Sequence, residues 1–304
     1  MDQFNTSTAH QVEDPYFSRG TTRELVPRED PVVWEGRTGP WGESEIERYR
    51  IDGYRFLPRL FSESETAELL TEAERLATVA DPNHPEVITE PGSDVVRSIF
   101  RLHRTNDVFR RVCEDPRLVD AARQLLGGEV YLHQSRINYK PAFDGKEFFW
   151  HSDFETWHME DGMPRMRAVS VSLFLTESNP FNGPLIVVPR SHETFVRCLG
   201  ETPENHYEQS LKKQEYGVPS QGAMRMLVEQ GGMTAPSGPP GSALMFDCNT
   251  MHGSAGNLSP FPRVNFFVVF NSVENRVVEP FGHRPPRPEY LAERAVTRLD
   301  DRSS

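Results

Sequence analysis

At Gly127-Gly128 the periodicity of the chain changes, and this change constrains the fold more than any other feature. Upstream, apolar residues recur with helical spacing. Downstream, EVYLHQSRINYK, RAVSVSLFL, PLIVVP, SALMFD and RVNFFVVFNSV alternate or run apolar over strand lengths. Turn signals separate them: Asn179-Pro180, Asn182-Gly183, and the Gly- and Pro-rich run from Ser237 to Gly241. Helices followed by many antiparallel-type strands predict a mainly β fold with helical buttresses, closed as a sandwich or barrel.

Within the helical part, Ser62 caps a helix and Glu65 stands three residues later, the spacing of a capping box. Leu69, Leu70, Ala73, Leu76 and Ala77 then form one stripe, which needs a sheet to pack on. A second helix is expected over 116–126, ended by Gly127-Gly128, and a shorter one over 44–52 with Ser44 as its cap. Residues 1–40 are polar and carry Pro15, Pro27, Pro31 and Pro40; they read as an arm lying on the surface or partly disordered. The segment from Glu193 to Met233 is polar and helix-prone and reads as an insert between strands. The expected division is an arm over 1–40, a single domain over 41–299 (helical to about 127, β-core from about 128 to 275), and a tail over 300–304.

Composition excludes some partners. The 304 residues carry a net charge of −12, which repels phosphate backbones and anionic membranes, so neither nucleic acid nor a membrane is an expected partner. No run approaches a membrane span, and the start MDQFNTSTAH has neither the basic nor the apolar region of a signal peptide. Cys113, Cys198 and Cys248 are widely spaced and odd in number, which fits neither a disulfide framework nor a zinc site; a reduced, cytoplasmic protein is the simple reading.

The chemistry concentrates in FFWHSDFETWHMEDG (148–162), which gathers His151, Asp153 and His158 among Trp150, Phe154 and Trp157. Charged groups are costly to bury unpaired, so this is either a solvated loop or a place where polar groups hold a metal. On a strand, His151 and Asp153 would share one face, making two corners of a metal site. His252, in FDCNTMHGSAGN, is the best third ligand. Two histidines and a carboxylate form the facial triad of non-haem Fe(II) oxygenases. His-x-Asp alone is common and reads equally as a loop histidine beside a loop acid. Arg263, eleven residues after His252, strengthens the pattern: a guanidinium grips a carboxylate bidentately, as an oxygenase using 2-oxoglutarate requires for the far carboxylate.

Gln134, Arg136, Asn138 and Lys140 fall on one strand face, either solvated or lining a polar cavity; Ser170 and Ser172 similarly oppose Val169, Val171 and Leu173. His192 reads as a turn stabiliser. His158 has the wrong spacing to share a strand face with Asp153, and His103, His133, His206 and His283 show no partner pattern. Trp150, Phe154 and Trp157 are the kind of residue that fills cores, although Trp157 could wall a cavity against a delocalised cation.

NGPLIVVPRSH, HSD, MHGSAGN and Arg263 together resemble the phytanoyl-CoA hydroxylase superfamily of non-haem Fe(II), 2-oxoglutarate-dependent dioxygenases. Within it, FFWHSDFETWHMEDGMPRMRAVSVSLFLTESNPFNGPL is similar to the ectoine hydroxylases, and the similarity runs from about Tyr49 to Asn275. The resemblance implies one dioxygenase domain with a double-stranded β-helix (jelly-roll, cupin-like) core, and a homodimer. It implies hydroxylation of ectoine to 5-hydroxyectoine with Fe(II), 2-oxoglutarate and O2, releasing succinate and CO2. His151, Asp153 and His252 match the iron ligands. Lys140 and Arg263, with Asn138 and Ser172, fall to 2-oxoglutarate. Gln134 and Trp157 fall to ectoine, with Thr156 and Asn265 carried over more weakly. Arg284, in GHRPPRP, would be a lid cation, although that proline-rich stretch reads equally as a surface-hugging tail. Two other readings stay open: a sister dioxygenase acting on another small amino-acid derivative such as proline, and a cupin-like binding protein without turnover.

Overall fold

The computed structural model describes residues 14–21, 25–203, 205, 207–211 and 216–299; the tail 300–304, the start of the arm and His206 lie outside the described residues. The chain opens with β1 (Leu25–Pro27), α1 (Glu43–Asp52), β2 (Tyr54–Leu57) and α2 (Glu63–Val79). Two short strands, β3 (Val87–Thr89) and β4 (Val96–Phe100), precede α3 (Leu102–Thr105), α4 (Asp107–Cys113) and α5 (Pro116–Leu126). The β-rich half starts with β5 (Val130–Lys140), β6 (Phe148–His151), α6 (Asp153–Thr156) and a π-helical turn (Trp157–Asp161). It continues through β7 (Ala168–Phe174), β8 (Leu185–Val187), β9 (Thr194–Val196), α7 (Tyr207–Ser210) and α8 (Gln221–Gly231). The last strands are β10 (Ala243–Asp247), β11 (His252–Ser254) and β12 (Arg263–Ser272).

Seven strands form one antiparallel sheet in the order β2-β10-β7-β12-β5-β4-β3, and β6-β11-β8 form a smaller antiparallel one. One face of the large sheet, including Ile137, Val171, Met245, Phe266 and Val268, packs with Leu69 and Ala73 of α2, Phe109 of α4 and Leu118 of α5. The opposite face meets the small sheet, where Phe174, Leu244, Phe246 and Phe267 pack with Leu185 and Val187. This is the helix-buttressed, double-stranded β-helix expected from the sequence. The small sheet carries the site's two histidines, His151 on β6 and His252 on β11.

The helices obey their local signals. Ser62 accepts from the Glu65 backbone N–H while the Glu65 carboxylate accepts from the Ser62 backbone N–H, which satisfies two otherwise orphan donors. Tyr139 of β5 donates its hydroxyl to the Ala73 carbonyl (2.7 Å), tying α2 to the sheet. α5 starts with Pro116 in its first turn and ends at Gly127, whose φ of 68° only glycine adopts without strain. α1 departs from expectation at its start: Gly42, two residues before Ser44, is its cap, and the Glu45 side chain closes it.

The arm differs more. Its described part is built into the core. Tyr16 is 1% exposed and packs with Phe154, Trp157 and Phe195. β1 pairs with β9 inside the 193–233 insert, a strand that polar composition hides. Arg19, 4% exposed, grips Glu155 through two hydrogen bonds (3.0 and 2.8 Å) and also reaches Glu160. A polar composition misled because these polar groups pair with one another. Among the described residues no helix is long and apolar enough to cross a membrane.

Candidate active site

β6 delivers His151 and β11 delivers His252, and the two histidines are direct cross-strand partners with ring centroids 4.2 Å apart. Asp153 does not arrive by strand alternation as the sequence predicts. The strand ends at His151, Ser152 caps α6 through the Glu155 N–H, and Asp153 is the first helical residue. The turn still aims its carboxylate between the rings. Asp153 Oδ1 lies 3.7 Å from His151 Nε2 and 3.9 Å from His252 Nε2. One donor atom from each residue falls within 4.8 Å of the others, a group able to hold a metal ion.

The surroundings prepare these donors. His151 Nδ1 donates to the Phe149 carbonyl (2.6 Å) and His252 Nδ1 to the Thr250 carbonyl (2.9 Å), so both Nε2 lone pairs face Asp153. Such outer hydrogen bonds fix ring tautomer and orientation in metal sites. Burial, reinforced by His252, pushes His151 down to about 4, so it is neutral and ligand-competent at neutral pH. Burial alone would raise Asp153, but the two histidines, Arg136 and the Ser170 hydroxyl outweigh it and hold the carboxyl below its ordinary value. Ser170 donates to Oδ2 (2.9 Å), leaving Oδ1 for the metal side. The donor set fits a 2-His-1-carboxylate iron site.

Two buried basic side chains stand at the ends of the neighbouring strands β5 and β12. Lys140 and Arg263 are register partners at the ends of β5 and β12, 1% and 3% exposed. Lys140 Nζ donates to Ser254 Oγ (2.7 Å) and to the Ala255 carbonyl. Burial, with Arg263 and Arg97 nearby, pushes it down to about 6. Burial and Arg97 push Arg263 down to about 10, and its Nε has no hydrogen-bond partner among the described residues. In the amide orientation that satisfies its neighbours, Asn265 accepts from Ser172 Oγ and Arg263 Nη1, both 2.9 Å. Asn138, opposite Asn265, accepts from Ser98 Oγ (2.8 Å). Unpaired buried cations cost stability, which an incoming carboxylate would recover.

The phytanoyl-CoA dioxygenase (PhyH) family model matches residues 49–265. The chain belongs to that family. It is 53% identical over 299 residues to the ectoine dioxygenase of Bordetella parapertussis, covering 95% of this chain and 96% of that one. To the ectoine dioxygenase of Sphingopyxis alaskensis it is 51% identical over 289 residues, covering 93% and 94%. Among solved structures, it is similar to EctD from S. alaskensis with 2-oxoglutarate and 5-hydroxyectoine: TM-score 0.84, 46% identity, covering 94% of this chain and 96% of that one.

The remaining expected residues divide. Gln134 faces the interior, where its amide donates to the Leu291 carbonyl (2.6 Å) and accepts from Arg136. Thr156 closes α6, its hydroxyl 3.5 Å from Arg19 Nη2. Trp157 opens the π-helical turn, 3% exposed, with the His133 ring edge-on at 5.1 Å. Arg284 is exposed and lines a cavity of about 270 Å³ with Met159, Glu160 and Pro286, and no contact joins it to the His-Asp-His group among the described residues. The buried guanidinium of GHRPPRP is Arg287, bonded to both carboxylate oxygens of Asp161 (2.7 and 2.6 Å). His192 is structural as expected: Nε2 meets the Arg50 carbonyl at 3.0 Å. His158 bridges Asp14 and the Met163 carbonyl, and His103 bridges Ser135 and Glu293. Sequence reasoning missed Arg97, Ser254 and Arg287. For Arg97 the only signal was a cation inside the apolar run VVRSIF.

Proposed function

We propose that this chain hydroxylates ectoine to 5-hydroxyectoine in an Fe(II)- and 2-oxoglutarate-dependent reaction that releases succinate and CO2. The observations that carry the reading are the oriented His-Asp-His group and the buried, register-paired Lys140 and Arg263, the latter with its Nε unpartnered among the described residues. The names of the relatives select ectoine and 5-hydroxyectoine.

His151 Nε2, His252 Nε2 and Asp153 Oδ1 hold the iron, and Ser170 keeps the second Asp153 oxygen turned away. When bound, Fe(II) with 2-oxoglutarate and O2 supplies the oxidising power that turns a C–H bond into C–OH. The protein's own work is binding, orientation and exclusion of water. Lys140 and Arg263 take the far carboxylate of 2-oxoglutarate, with Asn138, Asn265 and Ser172 fixing the walls between. The cavity walls Phe174, Phe246 and Phe267 keep the reacting region dry. Gln134, Thr156 and Trp157 face ectoine in this reading, with Arg284 at the outer rim. Trp157 offers a ring face to a delocalised amidinium. A homodimer in the cytoplasm, with no nucleic-acid or membrane partner, belongs to the same proposal, as does the division into an arm over 1–40 and one domain over 41–299.

Fe(II)-loaded protein given 2-oxoglutarate, O2 and either ectoine or proline tests the substrate. Mass spectrometry should find 5-hydroxyectoine and no hydroxyproline. Hydroxyproline as the sole product would move the chain to a sister enzyme.

A further inference from the structure

β4 carries a bulge that changes what Arg97 can do. On β3, Ile88 pairs with Ser98 and the next residue, Thr89, pairs with Val96, so Arg97 is the extra residue. Val96 and Ile99 both pack toward the helical layer, while Ser98 between them bonds to cavity-facing Asn138. A bulge re-aims side chains that strict alternation would separate. It turns Arg97 inward, where the side chain is 2% exposed.

Its guanidinium lies over the Phe148 ring at 3.7 Å, and Lys140 Nζ stands 5.4 Å from the centroid of the same ring. Arg97 donates to Glu90 (2.9 Å) and to the Glu147 carbonyl (2.8 Å), and its Nε has no hydrogen-bond partner among the described residues. Arg97, Lys140 and Arg263 thus cluster in one buried region, and Glu90 is the buried acid that pairs with one of them. A cluster of buried basic groups of this kind is costly unless one gives up its proton or an anion binds among them. Lys140 and Arg263 stand side by side at the paired ends of β5 and β12. Arg97 has both Nη groups engaged, so it contributes a fixed charge and a stacked wall.

Building on the reading of Lys140 and Arg263 above, we propose that Arg97 is a specificity-determining residue of the co-substrate pocket, which makes it select 2-oxo acids with a second carboxylate over those with an uncharged tail. Phe148 is the spacer: stacked under Arg97 and beside Lys140, it stands against both basic side chains and begins the strand that ends at His151. Electrostatic complementarity of this kind sets specificity by favouring one charge state of the ligand over its neutral analogue.

The test is calorimetric binding under argon, with Fe(II)-loaded protein and no turnover. 2-Oxoglutarate is compared with 2-oxopentanoate, which has the same chain length and keto acid but no far carboxylate. In Arg97→Gln the affinity for 2-oxoglutarate should fall about tenfold or more, while that for 2-oxopentanoate stays within about twofold, so discrimination shrinks. Arg97→Lys should restore part of the loss, because it returns the charge without the planar stack. Equal weakening of both ligands would make Arg97 a purely structural residue and overturn the proposal, as would unchanged discrimination in Arg97→Gln. Arg263→Gln separates the two levels of the argument. If it loses discrimination and Arg97→Gln does not, only the role of Arg97 fails. If neither variant loses it, the pocket assignment itself fails.

Discussion

Lys140 sits where its own charge is disfavoured. Burial and the neighbouring Arg263 and Arg97 pull it down to about 6, far below an ordinary lysine. The sign of the consequence follows from proton counts. Between about pH 6 and about pH 10 the unfolded side chain keeps a proton that the folded one has lost, so this residue makes stability rise with pH. Lys140→Met removes that dependence. Without 2-oxoglutarate, the variant should be more stable than the native chain near pH 6.5 by about 1–3 kcal/mol, and the gain should shrink toward about pH 9.5. Denaturant midpoints at the two pH values check this, and a gain that grows with pH would contradict it. Lys140 was legible in the sequence only as one of four polar residues on a strand face. Its burial was not, because that face could equally have met water.

The elements show why. β5 carries an irregularity where Gln134 pairs with Val269 and Leu132 with Phe270, so one residue has no counterpart. Leu132 and Ile137 therefore both reach the helical layer although they are an odd number apart. A reading with period two cannot register an inserted residue, and the strand looked ambiguous for that reason. β7 and β12 pair without such an insertion, and Ser170 and Ser172 lie on the face opposite to Val169, Val171 and Leu173 as alternation predicts. β3 and β4 escaped because they are short and lie among helical signals. The segment after Asp153 was legible in composition but not in form. It runs α6 into a π-helical turn that ends at Gly162, with φ 83° and its carbonyl accepting from the Val278 N–H (2.8 Å). A Cβ there would collide with the Val278 carbonyl. Gly162→Ala should cost about 2–4 kcal/mol and lower kcat by displacing the turn that bears Trp157. Unfolding curves with steady-state kinetics would show it, and wild-type stability would refute the strain.

In the whole molecule, segments from both sides of the β-core hold the stretch that follows Asp153. Tyr16 and Arg19 from the arm, and Arg287 from the far end, all anchor the segment 154–161 that follows Asp153. The His-Asp-His group was legible because metal chemistry restricts residue type, and Arg263 because a guanidinium after His252 on a strand suits a carboxylate. The arm was not, because its polar groups are neutralised by partners more than a hundred residues away. Coupled chemistry at Asp153 is the most direct test of the proposed reaction. Native protein and Asp153→Ala, each reconstituted anaerobically with Fe(II) and 2-oxoglutarate and then given O2 and ectoine, should be scored for succinate and 5-hydroxyectoine together. The prediction is equal amounts of the two products from the native protein and neither from the variant, with the variant still folded by circular dichroism. Undiminished 5-hydroxyectoine from Asp153→Ala, or succinate from the native protein without 5-hydroxyectoine, would contradict it.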